Sequence, residues 1–184
     1  MIKKITVLSF LFFFLISCGS EITISDSGLV KTETENLSID IPSNWNVIEN
    51  VDEILPKPKD AHIELAVTSQ NIESGFANNL LILSDDLKTF VSSKDYSMLN
   101  NVWASSDYID YNKLSSKDFT FLDEEVSTLY VFEARYNLDT PKLKFLQTAH
   151  ICNQNKWFFL TIAIPTTISD TSKYEYLLST FACK

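Results

Sequence analysis

Glycine is almost missing from this chain, with three among 184 residues and two of those before residue 30. A phosphate cradle made of backbone amides needs glycines close together, so P-loop and G-x-G-x-x-G nucleotide sites are excluded, and no G-x-S-x-G elbow is present. Arginine occurs once, as Arg135, and no cluster of cations interleaved with aromatics exists. That argues against a nucleic-acid groove and against an anionic-lipid patch. The only histidines, His62 and His150, stand in no ligand-spaced motif such as H-E-x-x-H, which argues against a zinc hydrolase. Beyond the first twenty residues, no apolar run approaches the 18 or so that a spanning helix needs.

What the chain does have, at its start, is MIKKITVLSFLFFFLISCGS. Lys3 and Lys4 form a positive n-region, and Ile5 to Ile16 is an apolar core of 12 residues, short for a bilayer and typical of a signal. The core ends in Leu15-Ile16-Ser17-Cys18, the pattern of a bacterial lipoprotein signal. Cleavage before Cys18 leaves a mature chain whose first residue carries fatty acyl chains, and two or three such chains make attachment effectively permanent. The expected location is therefore the cell envelope, facing away from the cytoplasm. Gly19 in place of an aspartate favours the outer membrane if the host has two.

Removing residues 1–17 takes two lysines away and leaves 13 basic against 24 acidic residues, a formal charge of −11. Such a polyanion repels nucleic acid and favours basic or metal-bearing partners. Residues 18–36 read as the lipidated N-terminus and a polar, flexible tether. Residues 37–184 read as a single globular domain, for which 45 per cent apolar and 12 per cent aromatic residues supply an ample core.

Leu37, Ile39 and Ile41 alternate with polar residues until Pro42-Ser43-Asn44, predicting a strand ended by a turn before Trp45. Ile63 to Thr68 and Leu80 to Leu83 are further strand candidates. Ser84 or Asp85 is placed to cap a helix whose stripe is Leu87, Phe90, Val91, Met98 and Val102. The second half predicts strands at Phe119 to Leu122, Val126 to Tyr136, Leu143 to Cys152 and Trp157 to Ile164, with a hairpin turn at residues 153–156. The strand from Trp157 is apolar on both faces of its pleat, so something must cover each side of its sheet. Ser169 or Asp170 is placed to cap a last helix, Ser172 and Glu175 have capping-box spacing, and Tyr174, Leu177, Leu178 and Phe181 form an amphipathic stripe. That helix is expected on one face of the sheet and the helix after Asp85 on the other.

Four features resemble the Mog1/PsbP-like fold, which includes bacterial PsbP-related lipoproteins. They are Leu37 to Trp45 as an apolar strand running into Pro and Trp, Asn79 to Leu83 before a long helix, the twin terminal strands, and a closing helix from Tyr174 to Phe181. The resemblance covers about residues 37–184 and implies an α+β fold, an α/β/α sandwich around a central, mostly antiparallel sheet with a C-terminal amphipathic helix. It also implies an accessory or assembly role.

Sites are sparse. Asp85, Asp86, Asp123, Glu124 and Glu125 are the densest carboxylates and the weak candidates for a divalent cation, calcium above all; a helix start and an inter-strand turn explain them better. His150 reads as a strand histidine with a satisfied hydrogen bond. Trp45, Trp103 and Trp157 read as core residues, with a ligand cleft as the alternative. With Cys18 lipidated, Cys152 and Cys183 remain as an even pair in a compartment where disulfides persist. Alternation puts Cys152 on the face of Leu146 and His150, so the bond forms if the last helix covers that face; two unpaired buried thiols are the alternative.

The sequence thus reads as a membrane-tethered, non-catalytic binding or assembly module for an envelope protein, with no cofactor, nucleotide or nucleic acid. The alternatives are a lipoprotein that binds a lipophilic ligand or divalent metal, and an envelope hydrolase with dispersed carboxylates.

Overall fold

The computed structural model describes residues 28–51, 55, 61–153 and 156–184. The leader, Cys18 and the first part of the tether lie outside them. Among the described residues the elements are β1 (Leu29–Glu33), β2 (Leu37–Pro42), β3 (Trp45–Val47), β4 (His62–Glu73), β5 (Phe76–Asp86), α1 (Ser93–Asp107), β6 (Ile109–Thr120), β7 (Val126–Arg135), β8 (Leu143–Cys152), β9 (Lys156–Pro165), α2 (Ser172–Ser179) and β10 (Ala182–Cys183). The fold is α+β. A seven-stranded antiparallel sheet runs β3-β4-β5-β9-β8-β7-β6, and a small antiparallel sheet runs β1-β2-β10.

The two faces of the large sheet are covered differently. On one, Leu65, Leu80, Ile82, Leu146, Leu160 and Ile162 pack with Leu37, Ile39 and Ile41 of β2 and with Tyr174, Leu177, Leu178 and Phe181, forming the main core. On the other, α1 lies over β6, β7 and β8. Two smaller clusters form there, Ala104 with Phe132 and Phe145, and Tyr96 with Ala149 and Trp157. β9 serves both: Phe158, Leu160, Ile162 and Ile164 face the main core, while Trp157 and Ala163 face α1. Burial on both faces of its pleat is what its unbroken apolar run requires.

Turn chemistry sets the register. Glu73 pairs with Phe76, leaving Ser74 and Gly75 as a two-residue loop with φ of 51° and 80°. Positive φ at both positions is the geometry whose twist matches a hairpin, and glycine meets it without a Cβ clash.

Several expectations are corrected. Part of the tether assigned to 18–36 is ordered, because Leu29–Glu33 is β1 and pairs with β2. The helix does not begin after Asp85: Ser84, Asp85 and Asp86 continue the β5 ladder against Phe158, Trp157 and Lys156, where sheet pairing takes up their backbone. α1 starts instead behind Ser92, whose Oγ accepts from the Asp95 amide at 3.1 Å and donates to the Asp95 carboxylate at 2.7 Å. β6 is 12 residues long and ends at Thr120, before Phe121 and Leu122. At α2 the cap position is Thr171, whose hydroxyl donates to Glu175 at 2.9 Å, while Asp170 accepts from the Ser172 amide.

Candidate functional site

Helix α1 is packed with its polar side inward. Ser93, Tyr96, Ser97, Asn101 and Ala104 are buried. Each inward polar group has a partner. Ser93 Oγ donates to Glu125 at 2.5 Å and accepts from the Ile151 amide at 3.1 Å, Ser97 Oγ donates to the Thr128 carbonyl at 2.6 Å, and Asn101 Nδ2 donates to Tyr111 Oη at 2.9 Å. Small hydroxyl side chains let the helix approach the sheet closely, and partnering removes most of the cost of burying them.

The consequence is an outward face of Met98, Leu99, Val102 and Trp103, spaced i, i+1, i+4, i+5, with Phe90 exposed in the segment before the helix. Val102 is 59 % exposed, Trp103 56 % and Phe90 72 %. The expected stripe is split: Leu87 and Val91 are partly buried against the Tyr96–Trp157 cluster, while Phe90, Met98 and Val102 point to solvent. Trp103 likewise leaves the core set, while Trp45 and Trp157 stay buried. Isolated exposed apolar residues are ordinary; here several share one helix face.

Trp103 also borders a cleft of about 450 Å³ between α1 and the sheet, lined by Leu83, Asp85, Tyr96, Asp107 and Phe159 among others. The Tyr96 ring lies 4.6 Å from that of Trp157 and so sits between cleft and core. At the same end, burial first and then the charge of Asp107 push the Tyr108 phenol up to about 12. Tyr108 therefore stays protonated at neutral pH and serves packing, its ring 5.8 Å from Phe132 and 5.0 Å from Phe145.

On the opposite face, Cys152 of β8 and Cys183 of β10 are joined by a disulfide with Cα atoms 5.7 Å apart. His150, 2 % exposed, lies beside it, with Nδ1 3.5 Å from Cys183 Sγ and 3.8 Å from Cys152 Sγ. Its other nitrogen, Nε2, meets Asp123 Oδ2 at 2.9 Å. The β6–β7 turn delivers Asp123. Phe121, 2 % exposed, stacks edge-on to the His150 ring at 4.6 Å and bonds across the turn to the Glu125 carbonyl. Glu124 supplies a positive φ of 72°.

The acidic candidates do not converge. Among the described residues, the His, Cys, Asp and Glu donors that come together in a group of three or more are His150, Cys152 and Cys183, within 4.8 Å of one another. Asp85 and Asp86 end a strand, Asp123 faces His150, and Glu125 holds Ser93. The expected pairing of Cys152 with Cys183 on the face of His150 is present; what sequence reading missed is Asp123, which the β6–β7 turn brings to the imidazole only through the fold.

A different carboxylate ties the two sheets together. Glu64 on β4 accepts from Ser84 Oγ at 2.6 Å, from Asn36 Nδ2 at 3.1 Å, and pairs with Lys156 Nζ at 3.3 Å. Burial raises its pKa, but these three donors outweigh it and hold the carboxyl below the ordinary glutamate value.

No family model and no curated protein matches the chain. Among solved structures, cyanobacterial PsbP (CyanoP) from Synechocystis matches with a TM-score of 0.56 at 14 % identity, covering 91 % of this chain and 99 % of that one. A protein of unknown function from Pseudomonas aeruginosa matches with a TM-score of 0.50 at 12 % identity, covering 80 % of this chain and 88 % of that one. At these identities the likeness is one of fold.

Proposed function

Starting from a PsbP-like fold, we propose that this chain is a non-catalytic binding or assembly module, that its docking surface is the outward face of α1, and that lipid at Cys18 tethers it to the envelope. The observation that carries the reading is the apolar side of α1. A helix whose hydroxyls are turned inward and whose Met98, Leu99, Val102 and Trp103 are turned outward leaves hydration cost unrelieved. Covering those side chains recovers about 25 cal/mol for each Å² removed from water. The tether is supported by Leu15-Ile16-Ser17-Cys18 after a short apolar core.

The test is a photo-crosslinking residue placed at Val102 in the cell, with the still more exposed Leu138 as control. A discrete crosslinked partner at 102, absent at 138 and lost on Trp103→Asp, is the expected result. Equal labelling at both positions, or labelling unaffected by Trp103→Asp, would refute the docking face. For the tether, Cys18→Ala should block processing and move the chain out of the detergent phase.

The cleft beside Trp103 favours one second reading, a lipophilic ligand held between α1 and the sheet. Native mass spectrometry of the envelope-extracted protein would show it as bound mass.

A further inference from the structure

We propose that, once its disulfide is reduced, this protein binds a thiophilic tetrahedral cation, Zn²⁺ being the fitting one, through Cys152 Sγ, Cys183 Sγ and His150 Nδ1, with Asp123 orienting the imidazole. The site is separate from the α1 face and uses none of its residues.

The donor set is the first ground. Two sulfurs and one imidazole nitrogen lie within 4.8 Å of one another at one point between the two sheets. Thiolate and imidazole together suit Zn²⁺ and discriminate against Ca²⁺ and Mg²⁺, which want oxygen. The second ground is distance. With Zn–S near 2.3 Å and Zn–N near 2.0–2.1 Å, the S···N edges of a tetrahedral site are about 3.5 Å. Here they are 3.5 Å and 3.8 Å. The sulfurs alone must part, from bonding distance to about 3.8 Å, and cleavage of the bond is what frees them to do so.

The third ground is the imidazole's orientation. An ionised carboxylate only accepts, so Nε2 donates its proton to Asp123 Oδ2 at 2.9 Å and Nδ1 is left with its lone pair toward the sulfurs. A carboxylate on the far nitrogen is the usual support of a metal-bound histidine. Phe121 and Phe181, with ring centres 4.6 Å and 4.9 Å from that of His150, fix the ring's tilt.

The pair stays in place without the bond. Cys152 is held in the β8–β9 ladder opposite Lys156, and Cys183 in β10 opposite Leu37, followed by a bond from the Lys184 amide to the Asn36 carbonyl at 3.1 Å. Phe181, fully buried, anchors the approach to β10.

The chemistry balances with a dithiol as reductant. Its thiolate attacks the partly exposed Cys183 sulfur, the Cys152–Cys183 bond breaks with its electron pair going to Cys152, and the donor's second thiol then displaces Cys183. Two cysteine thiols result here and one disulfide on the donor. Binding of Zn²⁺ then sends the two thiol protons to solvent, and water takes the fourth position.

The test uses the full chain in detergent with Cys18→Ala, reduced by a dithiol, freed of it without oxygen, and titrated with Co²⁺ alone. One Co²⁺ per chain with sulfur-to-cobalt charge-transfer absorption, displaced by Zn²⁺ and absent from the oxidised chain, is expected. Asp123→Asn, at a partly exposed turn, should weaken Co²⁺ binding about 10–100-fold while keeping that absorption. Cys183→Ser should cut the absorption to that of a single thiolate. A reduced, folded chain without charge-transfer absorption would overturn the site, and so would unfolding on reduction, because the ladders are required to hold the donors. Unchanged affinity in Asp123→Asn would overturn the orienting role.

Discussion

Phe181 follows the last turn of α2 and is fully buried where three elements meet. Its ring centre lies 5.2 Å from that of Phe158 on β9, 4.9 Å from His150 on β8 and 6.2 Å from Phe121 in the β6–β7 turn. Phe181→Ala removes the ring and leaves a space bordered by β8, β9 and the β6–β7 turn, which the sheet cannot collapse to fill. The transfer loss plus the cavity puts the cost at about 3–5 kcal/mol, against the roughly 5–15 that stabilises a domain. In urea, followed by the fluorescence of buried Trp157, the midpoint should fall by about 1 M or more with an unchanged slope, and Tm by about 6–20 °C. Phe181→Leu, which keeps most of the volume, should recover more than half of the loss. A midpoint for the alanine variant within a few tenths of a molar of the parent would refute the assignment of α2 and Phe181 to the main core.

Glu64→Gln should destabilise at neutral pH. The carboxyl's folded pKa lies below its ordinary 4.5, so its contribution is fully present above that value and is lost as pH falls through the lower folded value; the gap between parent and variant should close on acidification, by urea midpoints taken across that range. Ser97→Val should cost about 1–3 kcal/mol by removing the buried hydroxyl's bond to the Thr128 carbonyl, whereas Val102→Lys on the outer face should stay within about 0.5 kcal/mol, both read by thermal melting. Cys152→Ser with Cys183→Ser removes a cross-link between residues 31 apart, and chain entropy puts the loss at about 3–4 kcal/mol under oxidising conditions, with no difference from the reduced parent.

How far the fold could be read in advance depended on burial. β9 stood out because Trp157 to Ile164 is buried on both faces and so almost wholly apolar, and β8 because Leu143 to Cys152 is buried along its length, although Lys144, Gln147, Thr148 and His150 interrupt its apolar residues. α2 stood out because Tyr174, Leu177, Leu178 and Phe181 all turn to one core. β1 and β6 did not, being edge strands largely exposed along their length, where neither alternation nor apolar content is demanded. α1 was misread for a sharper reason. Periodicity shows that a helix has an apolar side and assumes that side is buried, but Ser93, Ser97 and Asn101 are hydrogen-bonded inward and Met98 and Val102 face water. The Cys152–Cys183 pairing on the His150 face was legible from alternation and the last helix, but Asp123 was not, because the β6–β7 turn meets β8 only in three dimensions.

The small sheet has a mechanical meaning. Its order β1-β2-β10 puts the strand nearest the N-terminus at the outside and β2 in the middle, with β10 on the inner side bonded covalently to β8 through Cys183 and Cys152. Leu29 pairs with Pro42 and Glu33 with Ser38, so a pull applied ahead of Leu29 loads the ladder from the Leu29–Pro42 rung. Parting β1 from β2 would release roughly 30 Å of chain over residues 28–36, while the disulfide keeps β10 on β8. Displacement on the N-terminal side is therefore expected to be taken up by β1 before it reaches the core.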